Sequence, residues 1–323
     1  MSTRPATKAG SWYVGDPKAL DQELDGYMAD VPTTIDGSDL PIPGARVVIA
    51  PHAGYTYSGP CAAWAYNSLD LRKAKRVFLL GPSHTYYLPG CAVTTFAEYA
   101  TPFGNLVVDR DVIQKVKEAG KMADIPPRKD SSEHSLEMHL PYLYKRLKQT
   151  FGSEDKFPSV IPILIGDNDR SQEKAIGKIL LPYLKDPDNA FIISSDFCHW
   201  GSNFDYMVYS PSHDPADLQQ LSTRDPAPHG RPIHETIQMI DEAAMDAVKS
   251  GSHDKFVDNL KLTQNTVCGR HPIGVAMAAL ELLAQETGDA ERARFKVMRY
   301  ERSNLVKSPR DFSVSYVSAY AVV

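Results

Sequence analysis

The chain has 323 residues, 42% hydrophobic and 23% charged, with a formal net charge of −5 and a pI near 6.1. That is the composition of an ordinary globular protein with a sizeable core, and its mild acidity argues against nucleic acid or an anionic membrane as a main partner. No apolar stretch nears the ~18 residues of a membrane span, the first ten residues hold no signal-peptide core, and the four cysteines form no C-x-x-C pair. These features predict a reduced, intracellular protein, cytoplasmic with the nucleus as a second compartment, and count against a disulfide framework or zinc ribbon.

Residues 1–16 read as an irregular lead-in. Between Pro17 and Asp30, Leu20, Leu24 and Met28 recur every four residues and predict an amphipathic helix. A Pro/Gly/Asp-rich stretch over 31–45 leads to Val47-Val48-Ile49-Ala50, a buried strand that ends at Pro51-His52. A loop rich in aromatics and glycine is read over 54–60, then a short helix over 62–71. The second strand, 76–81, runs out at His84. A third is read over 91–96, a turn over 99–105, and a helix over 109–119 with Asp109 as its N-cap. Ser132 opens a further helix: Leu136, Leu140, Leu143 and Leu147 form its buried stripe, His139 faces inward with them, and Pro141 is placed to kink it.

A strand over 159–165, a helix over 171–186 and a strand over 190–195 continue the alternation. Such alternation predicts βαβ units, and hence a single α/β domain over 1–323 with a largely parallel central sheet flanked by helices. The Pro-rich stretch at 202–231 reads as a surface insertion, a loop or flap. Helices over 233–248 and 273–283 follow, and 313–321 reads as a late, edge strand.

Three apolar runs end in a histidine: His52, His84 and, after Ser194-Ser195-Asp196-Phe197-Cys198, His199. In open α/β sheets ligands sit beyond the carboxyl ends of the strands, where three such histidines converge. Neutral imidazole is a common ligand for zinc, copper and iron; each ring taken alone also suits a hydrogen bond to a loop carbonyl. Asp196 and His199 offer a ligand, a general base or an oriented pair, or a turn cap and a packing ring. Cys268 precedes a helix in Val267-Cys268-Gly269-Arg270-His271-Pro272, where Arg270, His271 and the helix end are expected to lower its pKa. It reads as a soft ligand, a nucleophile served by His199 or His271, or an inert buried thiol. Glu133, His134, Glu137 and His139 do not make H-E-x-x-H, so Glu133 and His139 read as lining residues behind the ligands, with Tyr55 and Tyr57 as pocket tyrosines.

Pro51-His52-Ala53-Gly54-Tyr55, Gly81-Pro82-Ser83-His84, Glu133 through Pro141, Ser194 through Gly201 and Cys268 through Ile273 together resemble the Memo family over nearly the whole chain. The resemblance implies a fold similar to class III extradiol dioxygenases, whose iron is held by two histidines and a glutamate. Carried over, His52 and His84 match the histidines, Cys268 takes the third position, His199 matches the acid–base histidine and Asp196 lines the same pocket. It also implies iron or copper as cofactor and a role in growth-factor-receptor signalling and cell motility. A thiolate in place of the carboxylate is softer and itself oxidisable, so ring-cleaving dioxygenase chemistry does not follow directly. The leading expectation is a metal-binding protein of redox or metal homeostasis. A metal-dependent dioxygenase or oxidoreductase, and an adaptor that binds a signalling protein or phosphopeptide through a vestigial site, are the alternatives.

Overall fold

The computed structural model describes residues 2–323. Seven strands carry the main sheet: β1 (Val47–Ala50), β2 (Arg76–Pro82), β3 (Cys91–Val93), β4 (Ser159–Ile165), β5 (Asn189–Ser194), β6 (Lys296–Arg302) and β7 (Ser313–Ala321). Their order in space is β6-β7-β1-β5-β2-β4-β3, and two-residue strands at His199–Trp200 and Ala123–Asp124 complete nine. The four central strands β1, β5, β2 and β4 are mutually parallel; β3, β6 and β7 add antiparallel pairs outside them. Apart from Arg76 and Ser159, every residue of the central four is buried. That is why they read as continuous apolar runs: a parallel sheet is covered on both faces.

Eight helices of eleven residues or more flank the sheet: α1 (Pro17–Ala29), α2 (Tyr55–Ser68), α3 (Arg110–Gly120), α4 (Leu140–Phe151), α5 (Arg170–Lys185), α6 (Ile233–Lys249), α7 (His253–Thr263) and α8 (Arg270–Thr287). The connection through α2 runs from β1 to β2, skipping β5, with α2 packed on β1, β6 and β7, and the connection through α5 returns from β4 to β5, skipping β2. Right-handed crossovers that travel in opposite directions lie on opposite faces, so the sheet becomes the middle of three layers. Asp109 caps α3 by accepting from the Val112 N–H at 3.0 Å, and Asp169 caps α5 in a capping box with Gln172. Among the described residues no helix is long and apolar enough to cross a membrane.

Several elements differ from the pattern reading. α2 starts at Tyr55, seven residues before the predicted Ala62, and takes in the aromatic, glycine-rich stretch. Burial of Tyr55, Cys61 and Tyr66 on one helix outweighs the local cost of Gly59 and Pro60. The helix expected from Ser132 is three pieces, 127–132, 134–137 and α4; Pro141 sits in the first turn of α4, where its missing N–H costs nothing, so it starts a helix instead of kinking one. β3 ends at Val93, and 99–105 is the tip of a hairpin of Glu98–Thr101 with Gly104–Val107. β7 is interior, not an edge, because β6 covers its outer side. β6 carries no clean apolar alternation, because Lys296, Arg299, Glu301 and Arg302 interrupt its half-buried face. The 202–231 stretch holds a short pairing of Val208–Tyr209 with Gln219–Gln220, seated on a second apolar cluster that includes Trp200, Tyr206, Ile233, Ile237 and Val306.

Candidate metal centre

β1, β5 and β2 lie side by side, and the residues just past their carboxyl ends are His52, Asp196 and His84. This is the crevice where open α/β sheets place ligands. The loop before α8 brings Cys268 to the same spot. A nitrogen of His52, a nitrogen of His84 and the Cys268 sulfur all lie within 4.8 Å of one another, with His52 Nε2 3.2 Å from the sulfur. The two rings stand 5.1 Å apart at 72°, so their planes can intersect at one ion. His52 is 2% exposed and the His84 side chain 28%, which places the opening of the site on the His84 side.

Glu133 holds His84. Its carboxylate accepts from the backbone N–H groups of His84 (2.8 Å) and Thr85 (3.2 Å), from Ser135 (3.1 Å), and faces His84 Nδ1 at 3.2 Å. Burial alone would raise this carboxyl; the His84 side chain and the N–H donors outweigh it and hold it at about 2. A second cluster of candidate ligands, His84, Glu133 and His134, is also close enough to meet. Its rings argue against a shared ion: His84 and His134 are stacked, 4.3 Å apart at 12°, and a metal lies in the plane of each ring that binds it. Glu133 is therefore an orienting partner of His84, as carboxylates commonly are behind metal-bound histidines. His134 instead stacks between His84 and Trp12 (4.5 Å) and walls the site.

Asp196 accepts from the His52 N–H at 2.8 Å, and its other oxygen lies 3.9 Å from His52 Nε2. Burial raises its carboxyl, against the pull of His199 and the His52 N–H. Cys268 receives the Asp196 N–H at 3.3 Å. The expected lowering of its pKa is not found. Burial, and then the Asp196 carboxylate, push the thiol well above its ordinary value. Of the residues expected to help, His271 turns to Glu173 at 2.6 Å, and the Arg270 side chain makes no hydrogen bond or ion pair among the described residues. A metal cation held here would reverse this balance by favouring the thiolate. Gly269 lets the loop approach: a Cβ there would lie 2.3 Å from the Ser194 carbonyl oxygen.

A model of the Memo-like protein family matches residues 4–320. The chain is 40% identical to the MEMO1 family protein MHO1 of Saccharomyces cerevisiae over the full length of both, and 39% identical to Protein MEMO1 of Xenopus laevis, covering 99% of this chain and 97% of that one. Protein memo-1 homolog of Caenorhabditis elegans is 38% identical, with 99% and 83% covered.

The chain belongs to the Memo family.

The Memo family match begins at Arg4, and the structure gives that residue a task. Arg4 is fully buried, paired with Asp130 (3.1 Å) and Glu137 (2.8 Å), and donates to the Glu133 carbonyl at 2.8 Å. It ties the lead-in, including Trp12, to the segment that carries Glu133 and His134. Other sequence-predicted residues are placed variously around the Memo centre. His199 lies at the rim, its Nδ1 2.8 Å from the Phe197 carbonyl and 3.1 Å from that of Thr266. Both are acceptors, so Nδ1 carries a proton, and in the neutral ring Nε2 holds the lone pair. His139 is buried behind His52, with ring centroids 6.5 Å apart, and burial holds it at about 3. Tyr55 is core, donating to the Met138 carbonyl, while Tyr57 is 59% exposed. Neither bonds to a candidate ligand. Arg4 carries no periodic or motif signal that would have marked it in the sequence, and His134 lies inside the Glu133–Pro141 motif with nothing there to give it a wall's role; long-range pairing brings both to the site.

Proposed function

We propose that this Memo-family chain holds iron or copper at His52, His84 and Cys268, and that it serves redox chemistry or metal homeostasis linked to signalling and cell motility. One observation carries the reading: two imidazoles at a steep angle and a thiol meet within 4.8 Å at the carboxyl edge of the sheet. Ligands bound at about 2.0–2.3 Å lie up to roughly 4.5 Å apart, so small side-chain adjustments bring all three onto one ion. The donor set fits iron or copper, with two borderline nitrogens and one soft sulfur. When bound, such a metal supplies Lewis acidity and one-electron redox chemistry. The chain's own groups do the rest: Glu133 orients His84, Asp196 orients the His52 backbone, His134 and Trp12 cover one side, and His199 Nε2 takes or returns a proton at the rim.

The test is metal analysis of protein purified without chelator or affinity metal, beside His52→Ala and Cys268→Ser. Near-stoichiometric iron or copper that is lost in both variants supports the reading. A protein that takes up neither metal under reducing conditions overturns it. The free Nε2 of His199 favours an oxygenase-like reaction as the second reading; its support would be O₂ consumption with a phenolic substrate, lost on His199→Ala. Binding of a signalling protein or phosphopeptide that survives complete metal removal would instead favour the adaptor reading.

A further inference from the structure

We infer that Ser194 is a positioning residue that sets the tautomer of His52, at the head of a buried relay running through His139 to Tyr66. The inference rests on the metal-site reading for its purpose, but not for its geometry. Ser194 Oγ has three partners: the Ser135 carbonyl at 2.7 Å, His52 Nδ1 at 2.6 Å and His139 Nε2 at 2.7 Å. A hydroxyl has one hydrogen and two lone pairs, and a carbonyl only accepts. All three contacts are made in one way alone: the hydroxyl donates to Ser135, and both rings donate to the hydroxyl. His52 is then protonated at Nδ1, and its Nε2 lone pair points at the Cys268 sulfur. His139 is protonated at Nε2, and its Nδ1 accepts from the Tyr66 hydroxyl at 2.6 Å.

Ser135, Ser194, His139 and Tyr66 are fully buried and His52 nearly so, so water offers no substitute partner. The opposite tautomer of His52 would take the hydroxyl hydrogen from Ser135. That leaves a buried carbonyl without a donor, a cost of about 1–3 kcal/mol. It would also aim an N–H where a metal ligand needs a lone pair. The neighbouring serine faces the other way: Ser195 Oγ accepts from the Gly269 N–H at 3.0 Å and donates to the Asp196 carbonyl at 2.7 Å. The Ser-Ser pair ending β5 thus divides the site, Ser194 setting His52 and Ser195 seating the Cys268 loop, as alternation along an extended chain requires.

The experiment is ¹⁵N NMR of histidine-labelled, metal-free protein, which reads each ring's tautomer, beside metal titrations followed by mass spectrometry. The expected result is opposite tautomers: Nδ1–H for His52 and Nε2–H for His139. Ser194→Ala is expected to release the His52 tautomer and weaken iron or copper binding about 10–100-fold, and Ser194→Thr, which keeps the hydroxyl, to restore both. Tyr66→Phe is expected to disturb the His139 signals first. His52 protonated at Nε2 in the wild type, or unchanged in Ser194→Ala, overturns the inference. The wild-type spectrum decides it even if the alanine variant does not fold. A correct tautomer in a protein that binds no metal would sink the metal-site reading and leave the relay standing.

Discussion

Arg4→Ala is the most consequential single change the structure predicts away from the ligands. The guanidinium is fully buried and every N–H has an acceptor. Nε donates to the Asp130 carbonyl (2.9 Å) and carboxylate (3.1 Å), Nη1 to Pro5 (3.0 Å) and Glu137 (2.8 Å), and Nη2 to Ser131 (3.4 Å) and Glu133 (2.8 Å). Removing it strands two carboxylates that are themselves fully buried. Glu137 keeps the Lys8 N–H and the Tyr13 hydroxyl, but Asp130 keeps little beyond the Tyr99 hydroxyl at 2.7 Å. Breaking one partner out of a buried pair costs about 3–5 kcal/mol. With two carboxylates and one of them still partly served, about 4 kcal/mol is expected. Urea denaturation of both proteins at pH 7.5 measures it through the shift in midpoint. Arg4→Lys, which keeps the charge and loses the fork, should fall between the two. Because Arg4 also holds the Glu133 backbone, metal affinity is expected to drop with stability. A loss below about 1 kcal/mol would refute the reasoning, since it would mean the carboxylates are not desolvated in solution.

Glu133→Gln replaces one acceptor oxygen with a donor facing N–H groups; metal affinity is expected to fall about 10–100-fold, checked by competition with a chelator, and an unchanged affinity would remove Glu133 from the site. Gly274→Ala would place a Cβ 2.3 Å from Glu173 Oε2, in a carboxylate pinned at both oxygens, Oε2 by His253 and Oε1 by His271, at 2.6 Å each. A cost of about 3 kcal/mol is expected in thermal or urea melts. The contrasting Gly26→Ala, in open space on α1, should stabilise by about 0.5–1 kcal/mol. The pH dependence follows from His139 and His134, which burial holds at about 3 in the fold against about 6.5 unfolded. Between those values the unfolded chain binds more protons, so the stability is present in full above pH 6.5 and is lost as pH falls. From pH 7.5 to 5 each ring accounts for about 2 kcal/mol; a metal-free protein equally stable at pH 7.5 and 5 would contradict it.

Much of the architecture was legible because its signals are local. A parallel strand covered on both faces must be apolar throughout, so β1, β2, β4 and β5 stood out, and each is followed within two residues by a group of the site (His52, His84, Asp196) or by the loop leading to α5. Asp109 announced α3 by its side chain. The misread elements are those where burial overruled local preference: Gly59 and Pro60 suggest a loop until Tyr55 and Tyr66 are seen packing on one helix, and Pro141 suggests a kink until the break at Met138-His139 is known.

Sequence alone therefore determined the strand ends, the residue types gathered there and the kinship with the Memo family, because chain-local apolar runs decide where a parallel strand stops. Tertiary structure decided what each group does. Cys268 carries a raised pKa although Arg270 and His271 are its neighbours in sequence, since burial and Asp196 act on the thiol while His271 faces Glu173. Glu133 orients His84 while His134, one residue on, walls the pocket. Arg4, 129 residues from Glu133 along the chain, holds both in place. Electrostatic and hydrogen-bond terms depend on distances in space and on exclusion of water, and neither can be read from spacing along the chain.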